Sequence, residues 1–103
     1  MRVVAIKTLK SYWEKELLAE HPLKAWFAEA EKAVWLSPNE LKQQYRSASI
    51  VTNKRVVFNI HGNRYRLLVD IEYRLQTVFI VWVDTHQEYD KIDAKTIRYV
   101  KAD

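Results

Sequence analysis

The spacing of apolar side chains divides this chain into two halves with different periods. Arg2-Val3-Val4-Ala5-Ile6 fits a short first strand, and from about Leu9 to Trp35 the pattern turns helical. Trp13 and Leu17 share one face, and Leu23, Trp26, Phe27, Ala30 and Val34 then recur at three- and four-residue spacing. Pro22 interrupts this stretch. Proline is tolerated in a first helical turn and disfavours helix for the residue before it, here His21, so the pattern predicts two helices, about 9–19 and 22–35. Ser37-Pro38-Asn39-Glu40 then places serine at an N-cap, proline at the first helical position and glutamate at the third. That is a capping box, with Leu36 and Leu41 spaced as a hydrophobic staple, and it predicts a third helix from Pro38 to about Arg46.

After Ser47 the period becomes 2, with strands expected at Arg55–Ile60, Arg64–Tyr73 and Thr77–Val83. Gly62, the single glycine, lies between the first two, where a tight hairpin needs positive φ. A two-residue turn there, at His61-Gly62 or Gly62-Asn63, puts Val56, Phe58 and Ile60 on one face with Tyr65, Leu67, Val69, Ile71 and Tyr73. A turn at Arg74-Leu75 adds Val78, Ile80 and Trp82, and this face should pack on the helices. The opposite face carries Arg55, Val57, Asn59, Arg64, Arg66, Leu68, Asp70, Glu72, Phe79, Val81 and Val83. An antiparallel sheet can leave one face to water, but a partly apolar open face often has a partner. Thr85-His86-Gln87-Glu88 is a second capping box in form, predicting a short helix to about Ile92. Beyond Asp93 the pattern is ambiguous, and Thr96–Val100 fits either a strand or a helix end.

Length and composition narrow the class. The 103 residues suit a single domain, 1–103, with one core, and 49% hydrophobic with 29% charged residues is ordinary globular usage. The net charge of +4 and pI near 9.4 fit a polyanionic partner without requiring one. Absence of cysteine excludes disulfides and thiolate catalysis. The N-terminus lacks the apolar stretch of a signal peptide, and no segment reaches the roughly 18–20 apolar residues of a membrane span. A soluble cytoplasmic protein without a membrane partner is expected.

Several segments together carry a family likeness. Arg55-Val56-Val57-Phe58-Asn59-Ile60, then Gly62-Asn63, Tyr65-Arg66-Leu67, and Thr85-His86-Gln87-Glu88-Tyr89-Asp90-Lys91-Ile92-Asp93 resemble the signature of HigB-type toxins of type II toxin–antitoxin systems, within the RelE-like mRNA interferase superfamily. The likeness is close over about residues 50–95, while the helical first half agrees in pattern more than in residues. It implies a compact α/β (α+β) RelE-like fold, with N-terminal helices on one face of a curved antiparallel sheet of three or more strands and a short C-terminal helix. It also implies metal-free and cofactor-free cleavage of mRNA, commonly in the ribosomal A site, and a HigA-like antitoxin through which operator DNA is bound indirectly. The family's usual Phe-Ile-Arg in the strand before Thr-His reads Phe79-Ile80-Val81 here, so an expected second phosphate-binding cation is replaced by Val81. A weakened or inert relative that acts only by binding its antitoxin is therefore the alternative reading. A ParE-like topoisomerase inhibitor, sharing the broad fold, is disfavoured by the His86/Tyr89 pair.

The chemistry asks for a base at the 2′-hydroxyl, an acid at the leaving oxygen and cations around the phosphate. His86 is the natural proton carrier, because imidazole titrates near working pH. At a helix start it is expected beside free backbone N–H groups, whose field disfavours imidazolium and so favours the base role. The blander alternative is a solvent-facing histidine. Tyr89, three residues on, shares a helix face with His86 and suits base stacking or phosphate binding, or else the core. Arg66 is the candidate phosphate cation, unless Asp70 or Glu72 engages it. These catalytic candidates, Arg66, His86 and Tyr89, are expected to converge on one pocket. Lys54, Arg55 and Arg64 extend a basic edge for RNA backbone contacts, and Asn59 and Asn63 are candidates for ribose or phosphate. Asn63 and His61 are equally explained as turn residues, and His21 as a helix-entry residue. The three histidines show no metal-site spacing. Trp13, Trp26 and Trp82 fall on apolar faces, whereas Trp35 lies beside the stripe and marks a candidate partner surface.

Overall fold

The computed structural model describes residues 1–100. In chain order the elements are β1 (Arg2–Val4), α1 (Ile6–Lys15), a 3₁₀ turn (Leu17–Ala19), α2 (Glu20–Lys32), α3 (Pro38–Gln44), β2 (Ser49–Ile50), β3 (Arg55–Ile60), β4 (Tyr65–Glu72), β5 (Thr77–Thr85) and α4 (His86–Tyr89). The five strands form one sheet in the order β1-β5-β4-β3-β2. This is the expected α+β architecture with a short C-terminal helix, and it is consistent with a RelE-like fold. The sheet is mixed rather than wholly antiparallel, because β1 pairs in parallel with β5, Arg2 beside Thr77 and Val4 beside Phe79. No helix among the described residues is long and apolar enough to cross a membrane.

The first helical break falls earlier than the proline suggests. Glu16 is extended (φ −113°, ψ 91°) and ends α1, while Pro22 sits inside the first turn of α2, where N–H groups have no intrahelical partner to lose. Leu17 therefore leaves the stripe it was expected to share with Trp13 and is 71% exposed. A second correction concerns the end of α2. The helix stops at Lys32, and Ala33 is extended (φ −72°, ψ 149°). Along extended backbone side chains alternate, so Ala33 and Trp35 turn inward while Val34 and Leu36 turn outward. Val34, expected in the core stripe, is 68% exposed, and Trp35, expected at a partner surface, is 2% exposed. The Trp35 indole packs on Tyr45 and Phe58 and donates from Nε1 to Gln44 Oε1 at 2.9 Å.

In both capping-box segments the N-cap side chain caps its helix. Ser37 Oγ accepts from Glu40 N at 3.3 Å, and Thr85 Oγ1 accepts from Glu88 N at 3.3 Å. Glu40 reaches back to Leu36 N instead of the N-cap amide, and Leu36 is exposed, so the staple is not closed. Both helices stop short of their expected ends, at Gln44 and Tyr89.

The β3–β4 register is the one the Gly62-Asn63 turn dictates. Ile60 faces Tyr65, Arg64 N donates to His61 O at 3.2 Å, and Gly62 has φ 63°. The β4–β5 hairpin also follows its predicted register from Glu72–Thr77 to Val69–Ile80. A β-bulge then intervenes, because Leu68 pairs with Trp82 and Leu67 with Val83. The extra residue switches the faces beyond it. Val83 joins the core beneath the helices, and Trp82, expected there, moves to the opposite face.

That opposite face is not open. Val57, Leu68 and Val81 form a second apolar cluster, and Ile92, Ala94 and Ile97 of the C-terminal segment pack onto it with Trp82 and Tyr89. Residues 97–100 are neither strand nor helix. The segment is pinned by Arg55, whose Nη1 donates to the carbonyls of Ala94 and Ile97 at 2.8 Å each. The core on the other face holds Leu9, Leu23, Trp26, Leu41, Phe58, Tyr65, Leu67 and Ile80. Burying each such side chain contributes roughly 1.5–3 kcal/mol.

Candidate active site

A cavity of about 570 Å³ opens where the β3–β4 turn meets the start of α4 and the break after α1. Glu16, His61, Asn63, Arg64, Thr85, His86 and Gln87 line it. Two backbone bonds tie these parts together: Arg64 N donates to His61 O at 3.2 Å, and His86 N donates to Arg64 O at 3.1 Å. The β3–β4 turn thus fixes the entry to α4, and the side chains at 61, 64 and 86 inherit that geometry. Asp84 Oδ1 accepts from Thr85 N at 2.8 Å, which holds the preceding strand end in place.

His86 is half-buried at the first position of α4. The free N–H groups expected beside it are partly consumed, since its own amide bonds to Arg64 O and Glu88 N is held by Thr85. Arg64 is exposed and has no ion pair among the described residues; its guanidinium lies 6.0 Å from the centre of the Tyr65 ring. Asn63 and Gln87 add amide groups at the rim.

Arg66 and Tyr89 meet each other outside this cavity. The Arg66 guanidinium stands 5.9 Å from the Tyr89 ring centre, and Tyr89 packs 6.3 Å from Trp82 on the second face of the sheet. Arg66 Nη1 donates to the carbonyls of Asn63 (3.0 Å) and Tyr65 (3.3 Å), so this guanidinium braces the turn that carries Asn63 and Arg64. His86 and Tyr89, three positions apart, face different surroundings: the first lines the cavity and the second lies on the apolar cluster. Asp70, considered as a partner for Arg66, is held by Arg55.

The remaining candidates are dispersed. Arg55 is 9% exposed, and its Nε and Nη2 grip Asp70 at 2.6 and 3.1 Å. Lys54 is exposed and pairs with Glu72 at 3.6 Å, a contact worth little at a surface. Asn59 lies beside Arg66 in the ladder, and its amide donates to Ser47 O at 3.5 Å. Val81, where the resemblance expects arginine, is 3% exposed in the second cluster and is not part of the cavity wall.

Glu16 and His61 line the cavity although nothing in the sequence pattern singled them out for chemistry. Glu16 falls within the helix expected over about 9–19, whereas it ends α1 at the cavity edge. His61 adjoins Gly62 and read as turn chemistry. Next to both lies Tyr65, fully buried, its phenol pushed up from the ordinary value by burial and then by the charge of Glu16. Its ring sits 6.4 Å from that of His61 and 5.9 Å from Tyr12.

A cavity wall of two imidazoles, one guanidinium, one carboxylate and two amides suits proton transfer at a phosphodiester. Among curated proteins none matches the chain. A family model described as the RelE-like toxic component of a toxin–antitoxin system matches residues 19–92. With that match running from the start of α2 through the strands β2 to β5 and α4, the chain belongs to the HigB toxin family and is the toxin component of a toxin–antitoxin pair, whose partner is an antitoxin.

Proposed function

We propose that this toxin is an mRNA interferase that cleaves mRNA, commonly presented in the ribosomal A site, by metal-free acid–base chemistry. The observation that carries the reading is the joining of His86 and Arg64 in one cavity by the His86 N to Arg64 O bond. His86 takes the proton of the 2′-hydroxyl, and Arg64 stabilises charge on the phosphate. Asn63 and Gln87 position ribose or phosphate oxygens from the rim. Arg66 supports the turn beneath and offers its remaining N–H donors, with Tyr89, to the adjoining RNA. Lys54 and Asn59 belong to the outer basic edge, whereas Arg55 is assigned an architectural role because its donors are consumed inside the protein. Neutralisation falls to a HigA-like antitoxin, which also carries the complex to operator DNA. A cytoplasmic site of action follows from the substrate.

Induced expression in a bacterial host is the direct test. Growth arrest accompanied by cut transcripts is expected, and His86→Ala should abolish both while leaving antitoxin binding intact. Val81 keeps a second reading in view, that of a toxin relative acting only through its antitoxin complex. Antitoxin binding with intact transcripts and normal growth would favour that reading.

A further inference from the structure

Resting on the RNA-cleavage reading, the geometry of the same cavity assigns its missing partner. One imidazole can remove the 2′-proton, but the 5′-oxygen must also leave, and an alkoxide leaves poorly unless it is protonated. We propose that His61 is the second proton carrier, delivering a proton to the 5′-oxygen while His86 accepts one from the 2′-hydroxyl.

Three observations converge on His61. It lines the cavity together with His86 and Arg64. Two backbone hydrogen bonds, His61 O to Arg64 N and Arg64 O to His86 N, couple its position to theirs. And His61 holds φ 54°, a left-handed conformation that costs an L-residue about 1–2 kcal/mol and that the neighbouring Gly62 adopts without penalty. Strained backbone of this kind concentrates at sites where a side chain has to be aimed. The ring is exposed, 6.4 Å from that of Tyr65, so it is open to a ligand in the cavity.

The step balances without a further reagent. His86 takes the 2′-proton, the 2′-oxygen forms a bond to phosphorus, the bond from phosphorus to the 5′-oxygen breaks, and that oxygen receives the proton from the His61 imidazolium. The products are a 2′,3′-cyclic phosphate and a 5′-hydroxyl, with Arg64 holding the phosphate oxygens throughout. The charged and titratable groups facing His61 are Glu16 from the end of α1, Arg64 in its own turn, Tyr65 on β4 and His86 on α4. Glu16 is the one carboxylate among them.

The test compares mRNAs whose cleaved linkage carries either oxygen or sulfur at the 5′-bridging position, presented on ribosomes to the wild-type protein, His61→Asn and His86→Ala. Asparagine tolerates the left-handed backbone, so His61→Asn keeps the turn, and matching unfolding midpoints verify this. A sulfur leaving group departs without protonation. His61→Asn should cut the oxygen linkage about 10²–10⁴-fold more slowly than wild type and the sulfur linkage at close to the wild-type rate. His86→Ala should be slow on both. A His61→Asn protein that matches wild type on the oxygen linkage, or is equally impaired on both, overturns the assignment and leaves RNA cleavage standing. A wild-type protein that cuts neither linkage removes RNA cleavage itself, and this assignment with it.

Discussion

Arg55 and Asp70 grip each other across the β3–β4 ladder, Nε to Oδ1 at 2.6 Å and Nη2 to Oδ2 at 3.1 Å, while the third arm of the guanidinium reaches the carbonyls of Ala94 and Ile97. One buried side chain thereby joins two central strands to the C-terminal segment. Its planar fork satisfies a carboxylate and two carbonyls at once, which a lysine could not do.

Arg55→Met should therefore destabilise the protein, and not by weakening RNA contacts. Asp70 is 39% exposed and can rehydrate, which discounts the cost from the 3–5 kcal/mol of a fully buried broken pair to about 2 kcal/mol. Denaturant unfolding measures the loss. Limited proteolysis should cut within 93–97 sooner in the variant than in the wild type, because the two carbonyl contacts that hold the segment are gone.

Restoring the family's arginine at position 81 is expected to harm this protein. Val81 is buried between Val57, Leu68 and the C-terminal segment. Val81→Arg has to push its stem out toward the smaller cavity between α1 and β5, which Val81 also lines. Overpacking of this kind costs about 1–3 kcal/mol. The expected outcome is a lower unfolding midpoint with no gain in transcript cleavage, since position 81 does not reach the His86 cavity. A gain of about two orders of magnitude, the scale of one electrostatic stabiliser, would show that the second cation had been missing.

The two halves of this fold were unequally legible. Features written in a few adjacent residues were readable: both N-caps, the Gly62-Asn63 turn and the hairpin registers next to each turn follow from local chemistry. The misplaced tryptophans share one cause. Ala33-Val34-Trp35-Leu36 and Ile80-Val81-Trp82-Val83 are unbroken apolar runs, in which neither a switch from helical to extended period nor an inserted bulge residue leaves a mark. Trp35 and Trp82 consequently exchange their expected environments. The closing of the second face was unreadable for another reason: it depends on Arg55 meeting carbonyls 39 and 42 residues away, and backbone carbonyls carry no sequence signal. At the candidate site, the capping box and the family signature single out His86, and it lines the cavity. Nothing in the sequence singles out Glu16 and His61, because their places on the cavity wall come from where the chain brings them.

High pH should unfold this protein in a characteristic way. Tyr12, Tyr45, Tyr65 and Tyr73 all have phenol values raised above the ordinary tyrosine value of about 10, chiefly by burial, with Asp84 adding to the effect at Tyr12 and Glu29 at Tyr45. Groups whose folded value is raised contribute stability that is whole below the unfolded value and is lost as pH climbs through it. Stability should therefore hold up to about pH 9 and fall steeply above pH 10, where the unfolded chain sheds protons that the folded one keeps. Denaturant midpoints measured between pH 8 and 11 check this. Tyr45→Phe should make the decline shallower, and an unchanged slope would mean that Tyr45 ionises freely in the folded protein.

Two arginines two residues apart offer the sharpest division of labour. Arg64 lines the cavity and makes no ion pair among the described residues, whereas Arg66 spends Nη1 on the Asn63 and Tyr65 carbonyls and lies against Tyr89. If phosphate is held where His86 can act, Arg64→Ala should lower cleavage by about 10²–10³-fold with little change in unfolding midpoint. Arg66→Ala should do the opposite in part. It removes two hydrogen bonds from a charged donor and the stack on Tyr89, so it should lower stability by about 1–2 kcal/mol. Its effect on cleavage should be smaller than that of Arg64→Ala, and it should arise through loosening of the turn. Lysine separates the cases further, since Arg64→Lys keeps a point charge and should recover part of the rate. Single-turnover cleavage and unfolding measured on all three variants decide it, and a larger rate loss at 66 than at 64 would move the phosphate to the Tyr89 side of the sheet.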